Sequence, residues 1–434
     1  MKKLIYLLLS FLCTFNLGFG QEVVPVAFDL VTPIDVNLDA EGTPWVIESG
    51  SGMNDGRLSK IHTDGTAEVI VQGLPSHFNF MSEELEGPLS AQVFADGTIL
   101  VCQGGGPDTL SASILEFHVD DYVAKGAPLT VEDRRNAILH GEWMLAEGFE
   151  ETNSYSFLVD SDGSYVIVDA AANALVRYTP TTESFEVIAE FPALSNPTPV
   201  GPPFIDAVPT KVLAHPDGGY LVSTLTGFPF LDGMASVYHV QADGSMEPYA
   251  TGLTLVTDMA FDPNDGKLIT LQFAAFGQVD TTFTFLFNSA QLVKVDADNG
   301  LDTLLTTFGP SPGLALAEDG TAYMTHLFLG QLLKTTLTTG IHSPTTPAVQ
   351  AARVFPNPTT GPCTVELELD QPAQLRYQVL NSLGQVVEEK SIGFRAAGRQ
   401  LLDLELSVGA LTSGLYQVLV HTGNQSYRVA LLLH

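Results

Sequence analysis

The stretch LSAQVFADGTILVCQG, residues 89–104, decides the fold. An alternating apolar run leads into an Asp-Gly pair, and a second apolar run follows. Asp-Gly flanked in this way is a strong hairpin signal. The pattern recurs in PIDVNLDAEGTPWVIES (33–49), YSFLVDSDGSYVIVDA (155–170), PTKVLAHPDGGYLVST (209–224), VTDMAFDPNDGKLITLQ (256–272) and GLALAEDGTAYMTHL (313–327). Most units continue into a second hairpin, such as LSKIHTDGTAEVIV (58–71). Each unit therefore reads as a four-stranded antiparallel meander, A-B-C-D. Six such units predict an all-β chain built on a six-bladed β-propeller. The early run EVVPVAFDL resembles the outer strands of other units. Residues 22–30 are expected to pair with the last unit and close the ring.

Chain parity locates the working face. In a meander the A–B and C–D turns lie on one face of the disc, and the B–C loops and D–A links on the other. The A–B and C–D turns are mostly short Asp-Gly turns. The B–C loops are long and varied: SGSGMNDG (49–56), QGGGPDTLS (103–111), LTGFPFLDGM (225–234) and AAFGQVDTTFTFLFNS (274–289). Long loops on a rigid scaffold are where binding residues concentrate. Thr210, Phe228 and Phe230 are the candidates on this face, the two rings either packing onto neighbouring loops or lining a pocket. The longest insertion, roughly 120–152, contains LTVEDRRNAILHGEWMLAEG, which reads as a short helix capped by Thr130 and Asp133.

The chain has 434 residues, with 18 Lys plus Arg against 50 Asp plus Glu, a net charge of −32. That balance excludes nucleic acid or an anionic membrane surface as partner, because both need a basic face. Residues 1–20, MKKLIYLLLSFLCTFNLGFG, read as a cleaved signal peptide, with no transmembrane segment. The propeller is expected over 21–336, a Thr/Pro-rich linker over 337–349, and a small β-sandwich over 350–434. Cys102 and Cys363 fall in different domains, so no disulfide is expected.

Two resemblances add to this reading. FPNPTTG (355–361), LGQVV (383–387) and LTSGLY (411–416) closely resemble the type A C-terminal sorting domain of the type IX secretion system. That resemblance implies a Bacteroidota source, passage through the periplasm, and the type IX machinery as partner. It also implies a secreted or outer-surface destination, with removal of the domain. AVPT (207–210), PDG (216–218), LTGFPF (225–230), YATG (249–252) and DMAF (258–261) resemble the ScyD/ScyE family, which brings no settled activity. The repeats are similar, more broadly, to NHL-type and gluconolactonase-type propellers.

The gluconolactonase likeness implies one Ca²⁺ or Mg²⁺ in the central funnel, held by oxygen ligands from the starts of the inner strands. The matching positions are Glu86, Asn153 and Asp258, with Thr210 a poor fourth. The resulting expectation is a propeller that binds a small molecule, glycan or protein on its B–C face. A metal-dependent lactonase or hydrolase is the alternative, and a structural interaction scaffold the next. No catalytic residue is assigned, and whether the chain is an enzyme stays open.

Overall fold

The computed structural model describes residues 23–80, 84–279, 282–296, 299–337, 353–369, 373–380, 386–396, 398–404, 414–421 and 426–433. The signal-peptide reading, the linker beyond 337, and motif residues 383–385 and 411–413 lie outside the described residues.

Six four-stranded antiparallel sheets account for the repeats. Their first strands are Pro33–Leu38, Pro88–Val93, Ser154–Val159, Pro209–Ala214, Val256–Phe261 and Leu314–Leu316. Each of these packs against the first strand of the next sheet, and the sixth packs against the first, so the ring is closed. Val24–Ala27 pairs antiparallel with Gln331–Thr336 and forms the outer strand of the sixth sheet, as its pattern predicts.

The Asp-Gly turns explain the regularity. Asp96 Oδ1 accepts from the Thr98 N–H at 2.9 Å, and Asp319 Oδ1 accepts from the Thr321 N–H at 2.9 Å. The aspartate thus satisfies a turn N–H while the glycine takes positive φ, 90° at Gly97 and 82° at Gly320. Apolar residues pointing between sheets then merge. Trp45, Ile47 and Leu58 of the first sheet share one core with Ile99, Val101 and Phe117 of the second.

The 120–152 region departs from the single-helix reading. It contains a helix at Val119–Lys125, a 3-10 turn at Val131–Asp133, a strand at Asn136–Ile138 and a helix at His140–Ala146. The Thr130/Asp133 capping box is present. Asn136–Ile138 is the outer strand of the second sheet. Its three residues are too few to display a period, which hid it within a helical pattern.

The described residues within 353–433 form two sheets, of three and four strands, around one core containing Val365, Leu375, Tyr377, Leu404, Val418 and Leu431. This is the expected sandwich. Cys102 and Cys363 are both free and buried.

Closure brings the sixth inner strand hard against the first. A Cβ added at Gly313 would lie 2.6 Å from Asp35 Cα and 2.9 Å from the Ile34 carbonyl oxygen. Gly313→Ala is therefore expected to destabilise the ring by about 1–3 kcal/mol through overpacking. Chemical denaturation of the full chain measures this, and an unchanged midpoint would contradict the closure geometry.

Candidate functional site

The inner strands enter the ring in a recurring way. Thr32, Val208 and Leu255, each the last residue before an inner strand, have φ of 53°, 50° and 45°. Such values are costly for side chains of this kind. Just inside, register shifts fall at Pro33/Asp35, Pro88/Ser90, Ser154/Ser156, Pro209/Val212 and Val256/Asp258. Bulges re-aim side chains, and these turn Asp35, Ser90, Ser156, Lys211 and Asp258 into one small axial cavity of about 10 Å³.

An ionic cluster closes that axis. Lys211 Nζ stands 2.8 Å from Asp258 Oδ1. Asp258 also accepts the Leu314 N–H at 2.8 Å and the Met259 N–H at 2.8 Å. Asp35 Oδ1 accepts the Val36 N–H at 2.8 Å. Burial pushes the Asp35 carboxyl up to about 7; Lys211 pulls it back and Asp258 adds to the rise. Burial opposes the Lys211 ammonium, but Asp258 and Asp35 outweigh it and hold its pKa above the ordinary lysine value. The cavity has room for about one water, so nothing of substrate size enters along the axis at this level.

Each residue expected to hold a cation is engaged by a different partner. Asp258 is engaged by Lys211. Glu86 accepts from Asn79 Nδ2 at 2.9 Å and lines a separate cavity of about 150 Å³ with His77, Gln103 and Asp108. Asn153 Oδ1 accepts the Gly105 N–H at 2.7 Å, and its own N–H donates to Asp169 Oδ1 at 2.8 Å. Among the described residues no group of three or more His, Cys, Asp or Glu is placed to hold a metal ion. Glu86, Asn153 and Asp258 are thus each held by partners of their own.

Thr210 also needs correcting. It is fully buried rather than on the ligand face. Its Oγ1 donates to the Val256 carbonyl at 2.8 Å and lies 2.9 Å from Ser223 Oγ, pinning the fourth sheet to the fifth. Its neighbour Lys211 faces the axis instead. Asp35 and Lys211 were missed, yet a signal for them exists. The axial residue lies seven positions before the turn glycine in five repeats (Asp35/Gly42, Ser90/Gly97, Ser156/Gly163, Lys211/Gly218, Gly313/Gly320). In the fifth repeat, Asp258/Gly266, the turn is one residue longer.

The B–C face carries the larger depression. Phe228, Pro229, Phe230 and Met234 of the fourth sheet's loop line a cavity of about 500 Å³ with Phe276 and Phe283 of the fifth. Pro197, Thr198 and Val200 of the preceding D–A link complete it. Phe228 and Phe230 meet edge to face at 6.0 Å, and Phe230 meets Phe276 at 5.1 Å. Phe230 is half-buried, whereas Phe228 and Phe283 remain 45% and 56% exposed. The long loop of the fifth sheet is itself a hairpin, Phe276–Val279 with Thr282–Phe285, which sequence reading left as loop. Exposed apolar side chains concentrate here too. In the ring, only Val24, Val123 and Leu301 lie away from the B–C loops and D–A links among the described large ones.

Fold and site together define an all-β propeller with a closed ionic axis and an aromatic depression on one face. Residues 353–433 match the family described as the secretion system C-terminal sorting domain. This segment is a type IX sorting domain, and it marks the chain for export to the cell surface or medium. No curated protein matches the chain. Among solved structures, the chain is similar to a protein of unknown function from Bacteroides thetaiotaomicron: 14% identity, TM-score 0.48, covering 73% of this chain and 76% of that one. A protein provisionally described as a gluconolactonase shows 14% identity and TM-score 0.44 over 73% and 92%. A virginiamycin B lyase from Staphylococcus aureus, solved with quinupristin, shows 10% identity and TM-score 0.43 over 73% and 100%. At these identities the likeness concerns the fold alone.

Two outcomes test the axial cluster. Lys211→Met leaves Asp35 and Asp258 buried without their cation, and is expected to cost about 3–5 kcal/mol in chemical denaturation. An unchanged stability would contradict the pairing. For Asp35 the folded pKa lies above that of the unfolded chain, so the folded state keeps a proton that the unfolded state releases. The associated stability is present below about pH 4 and is lost as pH rises toward 7. Asp35→Asn is therefore expected to melt several degrees above the parent at pH 8, with the gap closing below pH 5. A gap independent of pH would refute the shift.

Proposed function

We propose that this protein is an exported binding protein that takes an apolar small molecule in the depression between the fourth and fifth sheets. The observation that carries this reading is the cavity of about 500 Å³ walled by Phe228, Phe230, Phe276 and Phe283. Ligand pockets typically measure about 300–1,000 Å³ and are lined mainly by apolar and aromatic groups. The walls are set before any ligand arrives. Asn196 Nδ2 donates to the Val200 and Pro202 carbonyls at 2.7 and 2.8 Å, and its Oδ1 accepts the Thr198 N–H at 2.9 Å. Strain points to the same loop, since Thr226 and Phe230 hold φ of 76° and 56°. Non-glycine residues in this region cost energy and cluster at ligand sites.

ScyD/ScyE membership is part of this proposal and rests on Leu225–Phe230, the run that builds the pocket wall. A Bacteroidota source, a cleaved signal peptide, and removal of the sorting domain at the surface or on release belong to it as well. The lactonase reading draws on fold likeness alone, and its proposed ligands are occupied by other partners. Glycan or protein recognition would use the wider face rather than the depression.

A neutral apolar dye, Nile red, tests the reading on the full exported chain. Saturable binding is expected, weakened about tenfold or more by the double variant Phe228→Ala, Phe283→Ala. Truncating an aromatic ring that anchors a ligand costs roughly 1.4 kcal/mol or more on this scale. Both residues are exposed, so the fold is expected to survive. Equal binding by parent and variant would overturn the proposal.

A further inference from the structure

The depression is not wholly apolar. Asp232 is the one charged residue lining it, among Phe228, Phe230, Phe276, Phe283 and Met234. No donor or cation pairs with Asp232 among the described residues. This differs from most aspartates in the ring. Asp55 accepts from Ser51, Asp243 from Ser245, and Asp262 is held by Lys294. Asp232 is exposed at the rim of the depression, and its apolar surroundings raise its carboxyl above the ordinary range. A carboxylate at such a rim loses part of its hydration to the neighbouring rings, and a bound cation offsets that loss.

Aromatic faces carry a negative quadrupole and attract cations within about 6 Å, more strongly when water is excluded. Ring faces and carboxylate therefore select the same sign of charge. The net charge of −32 favours approach of a cation over an anion. We infer that the ligand of this depression is an organic cation with an apolar or aromatic body, its charged group lying between Asp232 and the rings of Phe228 and Phe283. The inference rests on the binding site proposed above and adds the sign of the ligand's charge.

Two probes of matched shape separate the two claims. Phenyltrimethylammonium and tert-butylbenzene differ in replacing a cationic nitrogen by carbon. Affinities for the full exported chain are read by saturation-transfer NMR. The cation is expected to bind about tenfold tighter than the hydrocarbon. Asp232→Asn is expected to bring the cation's affinity down to that of the hydrocarbon. Phe228→Ala with Phe283→Ala is expected to weaken both probes. Equal affinities in the parent would overturn the charge inference and leave the apolar site standing. A cation preference that survives Asp232→Asn would also overturn it, because the general acidity of the chain would then be responsible. Binding of neither probe would overturn the inference and the underlying site together.

Discussion

Everything in the ring depends on the antiparallel pairing of Val24–Ala27 with Gln331–Thr336. Without it the sixth sheet would have three strands and expose the edge of Gln331–Thr336, and an unpaired edge invites association with another chain. The pairing completes the sixth sheet with a strand from the start of the chain and so ties the two ends of the ring together. It also forces the sixth inner strand onto the first, where Gly313 and Asp35 allow backbones to approach. With the ring shut, five of the six inner strands bring register-shifted residues to one axis. There Lys211 is caught between Asp35 and Asp258, and the charges of a narrow space are largely satisfied internally.

The fold was legible because its signals are local and repeated. Asp96-Gly97 and its counterparts state turn type, and the alternation around them states strand and face. The closing strand was legible because it resembles the other outer strands. Asn136–Ile138 was not, because three residues show no period. The site was legible only in outline. Parity placed Phe228 and Phe230 on the B–C loop of the fourth sheet, where they lie, but their partners Phe276 and Phe283 come from a hairpin hidden in the next loop. At the axis, choosing Thr210 over Lys211 was an error of one residue. A bulge shifts which side chain faces inward, and alternation counted from the strand start does not register it. Counting back from the turn glycine would have recovered Lys211 and Asp35 together.

Charge and apolarity are divided between levels of the structure. The turns opposite the loop face are dominated by aspartates whose carboxylates accept backbone N–H groups, so much of the acidity does structural work there. The exposed aromatic side chains gather on the B–C loops and D–A links. Asp232, a carboxylate without a partner among the described residues, lines the depression they form. Export by way of the sorting domain places such a face outside the cell.

Labelling with a neutral, photoreactive apolar probe tests the central claim most directly, because it reports where on the molecule such a ligand sits. After irradiation of the full exported chain, proteolysis and mass spectrometry locate the adducts. The account predicts adducts confined to peptides carrying residues 197–200, 228–234 and 276–283, the three segments that wall the depression. Adducts spread over the outer strands, or gathered at the turns of the opposite face, would contradict it.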